Sequence, residues 1–386
     1  MITRELSAAV AAAAGMAQAA GELAGPTLTS AALAGSWRPV PAAAGGGPGS
    51  YATTIPFLLA SRSAGDPARI AAMLADRLPA AGAGVCHVTV TGPGYLSLTV
   101  SPEALGRLAA RISQAGPDCA RSTALRGTTV TAPAGTALAA TGSWDEAWRW
   151  LAAELAGRLA SAAGAEVSWT GPPGESARAD RGPVTAAVAF AGTDAIRYAL
   201  SRAVPTGTGP GRRIRAIDPR AAAAQHLGNP FYAVRYAHAH AASILRWSAD
   251  LGLPAVDVAQ FQPHLLAHPR EQALLDAMSW LPERVAGAAR RGQPHVLAGY
   301  LEDLAGTYLD WQQHCPLSQP GAFPPGPDQP PGPDQRTGPD QPAGTGQPLR
   351  QARLMLAGAA QTVLGTGLGL LGLPAGQPHP TSKETR

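Results

Sequence analysis

Residues 229–246 read Asn-Pro-Phe-Tyr-Ala-Val-Arg-Tyr-Ala-His-Ala-His-Ala-Ala-Ser-Ile-Leu-Arg and constrain the fold more than any other stretch. Asn229-Pro230 starts a helix, because an amide caps the first free N–H groups and proline at the first position has no N–H to waste. Phe231, Val234, His238, Ala241 and Leu245 then recur at steps of three and four, the spacing of a buried stripe. Tyr232, Tyr236, Ala239 and Ser243 form a neighbouring stripe, with Arg235, Ala242 and Arg246 beside it. Two readings of that second face stand open. It is either a packing surface for amphipathic tyrosines, or a surface where tyrosines stack on unpaired bases and arginines meet phosphate. His238 and His240 fall roughly 200° apart on the helix, so they cannot grip one metal ion together.

Composition narrows the class of protein. Only 5% of residues are aromatic, within a hydrophobic fraction of 45% that is largely alanine. Alanine helices pack closely but bury little area each, so the few Trp, Tyr and Leu clusters must anchor the cores. A formal net charge of +4 permits a nucleic-acid partner without requiring one. Cys86, Cys119 and Cys315 are scattered, which fits a reducing cytosol and offers neither a disulfide framework nor a zinc site. The apolar run within residues 1–24 is alanine-rich, lacks the Leu, Ile and Phe of an export signal and is followed by Glu22, so the segment reads as an amphipathic helix and a cytoplasmic location is expected. Residues 363–373 are too short and glycine-rich to span a bilayer, and no membrane or DNA partner is expected.

Local patterns divide the chain into three parts. Residues 1–112 predict a small α+β domain. In it Asp66-Pro67 opens a helix through Leu78, and the alternating runs 85–90 and 95–100 flank the turn 91–94 as a hairpin. Ser101-Pro102-Glu103 then caps a closing helix. Residues 113–182 predict a strand at 127–131, a helix at 144–163 and a strand at 166–169, one β-α-β unit. In residues 183–386 the segments 194–202, 219–311 and 349–371 read as helical, including helices at 273–285 and 295–311. Residues 316–348 interrupt them with Gly-Pro-Asp-Gln at 326–329, 332–335 and 338–341, a linker too poor in apolar groups for a core. Trp144 and Trp148 lie one helical turn apart and read as a packing seam.

Several motifs resemble arginyl-tRNA synthetases. Gly49-Ser-Tyr-Ala-Thr-Thr54 and Gly92-Pro-Gly-Tyr-Leu-Ser-Leu98 are similar to strand motifs of that family's N-terminal additional domain. Gly192-Thr-Asp-Ala-Ile-Arg-Tyr198, residues 229–246, His268-Pro-Arg-Glu271, Tyr300-Leu-Glu-Asp-Leu304 and Leu370-Leu-Gly-Leu373 resemble its DALR-type anticodon-binding domain in order. The resemblance implies an α+β N-terminal domain and an all-α C-terminal anticodon-binding bundle, joined by a truncated α/β remnant. It implies tRNA, with the arginine isoacceptor first, as partner. Tyr232, Arg235, Tyr236, His240 and Arg246 become candidates for the RNA face, with Tyr95 at the outer corner of the tRNA. Ser97 and Thr54 stand where the family commonly has amides, and His240 where it usually has arginine.

The chemistry of the family is a different matter. A class I synthetase holds ATP phosphates with His-x-Gly-His and meets the charge of adenylation with a Lys-Met-Ser-Lys loop. The sequence contains no His-x-Gly-His, and Lys383 is its sole lysine. Ala139-Ala-Thr-Gly142 and Ser176-Ala-Arg-Ala-Asp-Arg-Gly182 stand roughly where those motifs belong. No catalytic residue, cofactor or metal is therefore assigned. The expectation is a non-catalytic tRNA-binding protein. The alternatives are a protein-interaction module that reuses the fold with a protein partner, and a surviving arginine-tRNA ligase.

Overall fold

A computed structural model describes residues 2–26, 29–33, 35–41, 43, 45–135, 137–171, 182–207, 212–253, 257–317 and 346–374. The Gly-Pro-Asp-Gln repeats, Lys383 and positions 176–181 of the loop motif lie outside the described residues.

The N-terminal part is an antiparallel sheet with helices around it. Strands β1 (Trp37–Pro39), β2 (Ser50–Thr53), β3 (Val85–Thr91) and β4 (Tyr95–Val100) lie in the order β1-β2-β4-β3. Alternation sets the buried face: Tyr51 and Thr53 of β2 pair with Leu98 and Leu96 of β4, and all four are buried. Helices α1 (Ile2–Ala19), α2 (Ile55–Ser63), α3 (Pro67–Arg77) and α4 (Pro102–Ala115) complete this part. Asp66 caps α3 by accepting from the Ala68 N–H, and Ser101 caps α4 by accepting from the Ala104 N–H.

The middle is a single β-α-β crossover. Strands β5 (Thr129–Pro133) and β6 (Glu166–Thr170) run parallel, joined by α5 (Trp144–Ala162). Trp148 is buried in α5, while Trp144 packs at the edge of the core.

Helices make the rest: α6 (Pro183–Ala191), α7 (Thr193–Ser201), α8 (Pro219–Ala223), α9 (Pro230–Asp250), α10 (Pro269–Ser279), α11 (Leu281–Arg291), α12 (His295–His314) and α13 (Gly346–Leu370). Helical periodicity overstated their continuity in two places. The expected helix at 273–285 is two helices meeting at Trp280, because Pro282 lacks an N–H and its ring would strike the carbonyl one turn back. Between α9 and α10 the described residues form only 3₁₀ turns, at Val258–Gln260 and Pro263–Leu265.

Helix α13 packs against both α4 and α9, so the N-terminal and C-terminal parts share one hydrophobic core. Small residues of α13 (Ala352, Ala357, Ala359, Ala360, Gly367) are buried there and let its neighbours approach closely. Arg353 of α13 binds the buried Glu271 of α10 at 2.7 Å. At the other contact, the fully buried Tyr51 donates to Ser279 Oγ at 2.9 Å, and the Gly49 N–H donates to Asp276 at 3.0 Å. Burial lifts the Asp276 carboxyl from 3.8 to about 6, and the hydrogen bonds it accepts oppose that shift only in part. Arg197 of α7, 8% exposed, binds Glu154 of α5 and donates to the Leu371 carbonyl at 2.8 Å.

Two stability experiments follow from these contacts. Arg197→Met leaves the buried Glu154 with Arg158 alone, and urea unfolding should show a loss of about 3 kcal/mol or more. Replacing the pair together, Arg197→Met with Glu154→Leu, should recover most of it; an unchanged single variant would contradict the assignment. The second concerns pH. The folded state holds the Asp276 proton more tightly than the unfolded chain, so this group favours folding below about pH 4 and loses that contribution as pH rises through 6. Asp276→Asn should therefore gain on the wild type between pH 4 and pH 7.5 by up to about 3 kcal/mol. A difference independent of pH would show that the carboxyl is not perturbed.

Candidate nucleic-acid interface

Helix α9 begins where the sequence places it. Asn229 Oδ1 accepts from the Phe231 N–H at 3.1 Å, and its Nδ2 donates to the carbonyls of Ala222 and Ala224. The helix then runs for 21 residues and buries Phe231, Val234, Ala237, His238, Ala241 and Ile244. Leu245, expected in this stripe, is half-buried and lies over Gly358 of α13 instead.

The opposite side carries an aromatic series. Tyr232 and Tyr236 stack with ring centroids 6.0 Å apart, and Tyr236 lies 6.0 Å from the His240 ring. His240 meets the edge of Tyr308 on α12 at 5.9 Å, and Tyr308 lies 5.6 Å from Trp311. The series thus runs from an open end at Tyr236, 40% exposed, into the core at Tyr308 and Trp311. Arg235 is exposed, with its guanidinium 5.4 Å from the Phe231 ring centre, and Arg246 is exposed and donates to Ser243 Oγ at 3.0 Å. Neither arginine forms an ion pair among the described residues.

His240 needs a correction. Its sequence position suggests a solvent-facing side chain, yet the ring is half-buried and Nδ1 hydrogen-bonds Tyr308 Oη at 3.0 Å. Burial lowers its pKa below the ordinary 6.5, so it is neutral at physiological pH. It serves as a link between the exposed tyrosines and α12 rather than as a cation. Tyr95 stands elsewhere, on β4, with its ring 5.0 Å from Phe57 and 48% exposed.

One residue escaped the sequence reading. Trp247, 62% exposed, lies within about 60° of Tyr232 on the helical wheel and extends the same face by a turn. Its signal was present in the spacing, since residues 232, 236, 243 and 247 lie on one strip. Asp250, exposed at the end of α9, sets a negative charge on the same face.

Two segments match protein-family models: residues 234–322 the DALR anticodon binding domain, and residues 43–100 the arginyl tRNA synthetase N terminal domain. The arginine–tRNA ligase of Frankia alni is 36% identical over 188 residues, which is 48% of this chain and 28% of that protein. Those of Clavibacter sepedonicus and Micrococcus luteus are each 34% identical, over 48% and 49% of this chain and 28% and 29% of their own length. The matched stretch thus spans under a third of these relatives. The arginyl-tRNA synthetase structure of Thermus thermophilus shares the fold with a TM-score of 0.53 at 17% identity, covering 98% of this chain and 100% of that one. The chain is thus similar to arginyl-tRNA synthetases in two parts, an α+β N-terminal part and a helical part that matches their DALR anticodon binding domain.

The inward tie of His240 is open to direct measurement. Its imidazole should titrate by NMR below the ordinary value, and Tyr308→Phe should move that titration while costing about 1 kcal/mol of stability. An unshifted imidazole in the wild type would place the ring in solvent.

Proposed function

We propose that this chain is a non-catalytic relative of arginyl-tRNA synthetases that binds tRNA through the exposed face of α9. The observation that carries the reading is the aromatic series Tyr232, Tyr236 and His240, anchored on Tyr308 and flanked by Arg235 and Arg246, at the start of the segment that matches an anticodon-binding domain. Stacking suits unpaired anticodon-loop bases, because every base offers a π-face and the loop lets bases turn outward. Tyr236 and Trp247 present open rings for that purpose. The two arginines supply phosphate contacts, which hold RNA in register without reading its sequence. An arginine isoacceptor is the first candidate, given the relatives' names. Tyr95, on the N-terminal part, is a second contact for the body of the tRNA.

The non-catalytic part of the reading rests on the sequence. Only residues 101–233 lie between the two matched segments, and they contain neither a lysine nor a His-x-Gly-His. That interval therefore lacks both motifs with which the family meets the charge that builds on ATP during adenylation.

Mobility-shift titrations of the full chain against an arginine-isoacceptor transcript test the site. Arg235→Ala and Arg246→Ala should each weaken binding and lower the salt slope by about one. Tyr236→Ala and Trp247→Ala should weaken it roughly tenfold at any salt. Equal binding by all four variants would remove the face from consideration. Arginine-dependent ATP–pyrophosphate exchange by the purified chain should be absent, and its presence would overturn the non-catalytic reading.

A further inference from the structure

A cleft of about 770 Å³ opens on the other flank of α9. Its wall on α9 is His238, roughly 160° around the helix from Tyr236. The remaining walls come from the turn Gly116–Ala120 with Arg121, the last turns of α5, strand β6 and the C-terminal half of α13. The volume is that of an ordinary small-molecule site.

Three features of the lining point to one class of ligand. The first is charge. Arg158 and Arg121 both line the cleft; Arg158 binds the buried Glu154 at 2.8 Å, and Arg121 binds Asp118 at 2.8 Å. Glu154 is also bound by Arg197 from behind, so the two carboxylates neutralise only two of the three guanidiniums. One positive charge is left over.

The second feature is a flat apolar surface. Trp169 of β6 lies on α5 over Gly157, where an added Cβ would sit 3.1 Å from its ring, yet the residue stays 45% exposed. An indole left open beside two arginines suits a heterocycle that stacks on it. The third is His238. It is 9% exposed and makes no hydrogen bond among the described residues, although it lines a cleft with Gln361 and Thr362 opposite. Burial and Arg235 lower its pKa, so the imidazole is neutral and offers both a donor and an acceptor. Neither ring nitrogen is sealed off from the cleft, so both stay available to a ligand there.

We propose that this cleft binds a nucleoside phosphate. The base stacks on Trp169, the phosphate lies against Arg121 and Arg158, and His238 provides the buried polar contact. The nucleotide is either free or the terminal residue of an RNA chain, two sources with one chemistry. The proposal is independent of the tRNA face on α9, because the two sites share no side chain.

Calorimetric titration of the full chain with AMP, adenosine, inorganic phosphate and a 5′-phosphorylated trinucleotide RNA tests it. AMP should bind saturably, with adenosine and phosphate each weaker. Arg121→Ala and Trp169→Ala should each weaken AMP by roughly tenfold. Arg121 is 74% exposed at its side chain, so that variant leaves the fold intact, as an unchanged thermal melt would verify. A trinucleotide that binds more tightly than AMP identifies an RNA terminus as the source, and equal affinities identify a free nucleotide. Absence of saturable binding by both AMP and the trinucleotide would overturn the proposal. Binding that both variants leave unchanged would overturn it as well.

Discussion

Arg197 and Tyr198 hold the C-terminal part together. From one turn of α7, the buried guanidinium reaches Glu154 of α5 and the Leu371 carbonyl beyond the end of α13. The neighbouring tyrosine stacks on Phe231 in the first turn of α9 at 5.1 Å and donates to Glu302 of α12 at 3.2 Å. Two adjacent residues thus fix four helices relative to one another. They also give a reason for Gly372, whose φ is +70° and whose missing Cβ leaves room for the Arg197 guanidinium. A charge buried this way stabilises only when every partner is in place, so the motif around Arg197 and the closing Leu-Leu-Gly-Leu depend on each other.

From that junction α9 acquires two different flanks. The side against α13 is core, with His238 at its edge over the cleft. The opposite side is an aromatic surface whose inner end is pinned by the His240–Tyr308 hydrogen bond. For the proposed RNA contact, rigid presentation matters, because a stacking platform that must first order itself loses affinity to side-chain entropy. The N-terminal sheet reaches the same bundle from the other end, through Tyr51, Gly49 and Asp276. In this chain the two matched modules therefore touch directly, with the small residues of α13 letting α4 and α9 close around it.

Features governed by near neighbours were legible in the sequence. Asn229, Asp66 and Ser101 cap helices within three residues of themselves, and the alternation at 85–100 gives a hairpin without outside help. The strand-helix-strand pattern at 127–170 also forms its parallel pair. What depends on distant residues was not legible. His240 turns inward because Tyr308 lies beside it, 68 positions away in sequence. The break at Trp280 follows from proline sterics that periodicity ignores. The exposure of Trp247 depends on which elements pack beside α9, which its local sequence does not contain. The cleft draws on five separate segments, so no local pattern could announce it.

The central claim is that α9 presents a tRNA-reading surface. Its most direct test is a binding titration of the full chain against an arginine-isoacceptor transcript and an unrelated tRNA at two salt concentrations. The account predicts micromolar or tighter binding, with a preference for the isoacceptor that persists at the higher salt, because stacking is not screened. Equal weak affinity for both RNAs, abolished by salt, would reduce the interaction to nonspecific charge and contradict the account.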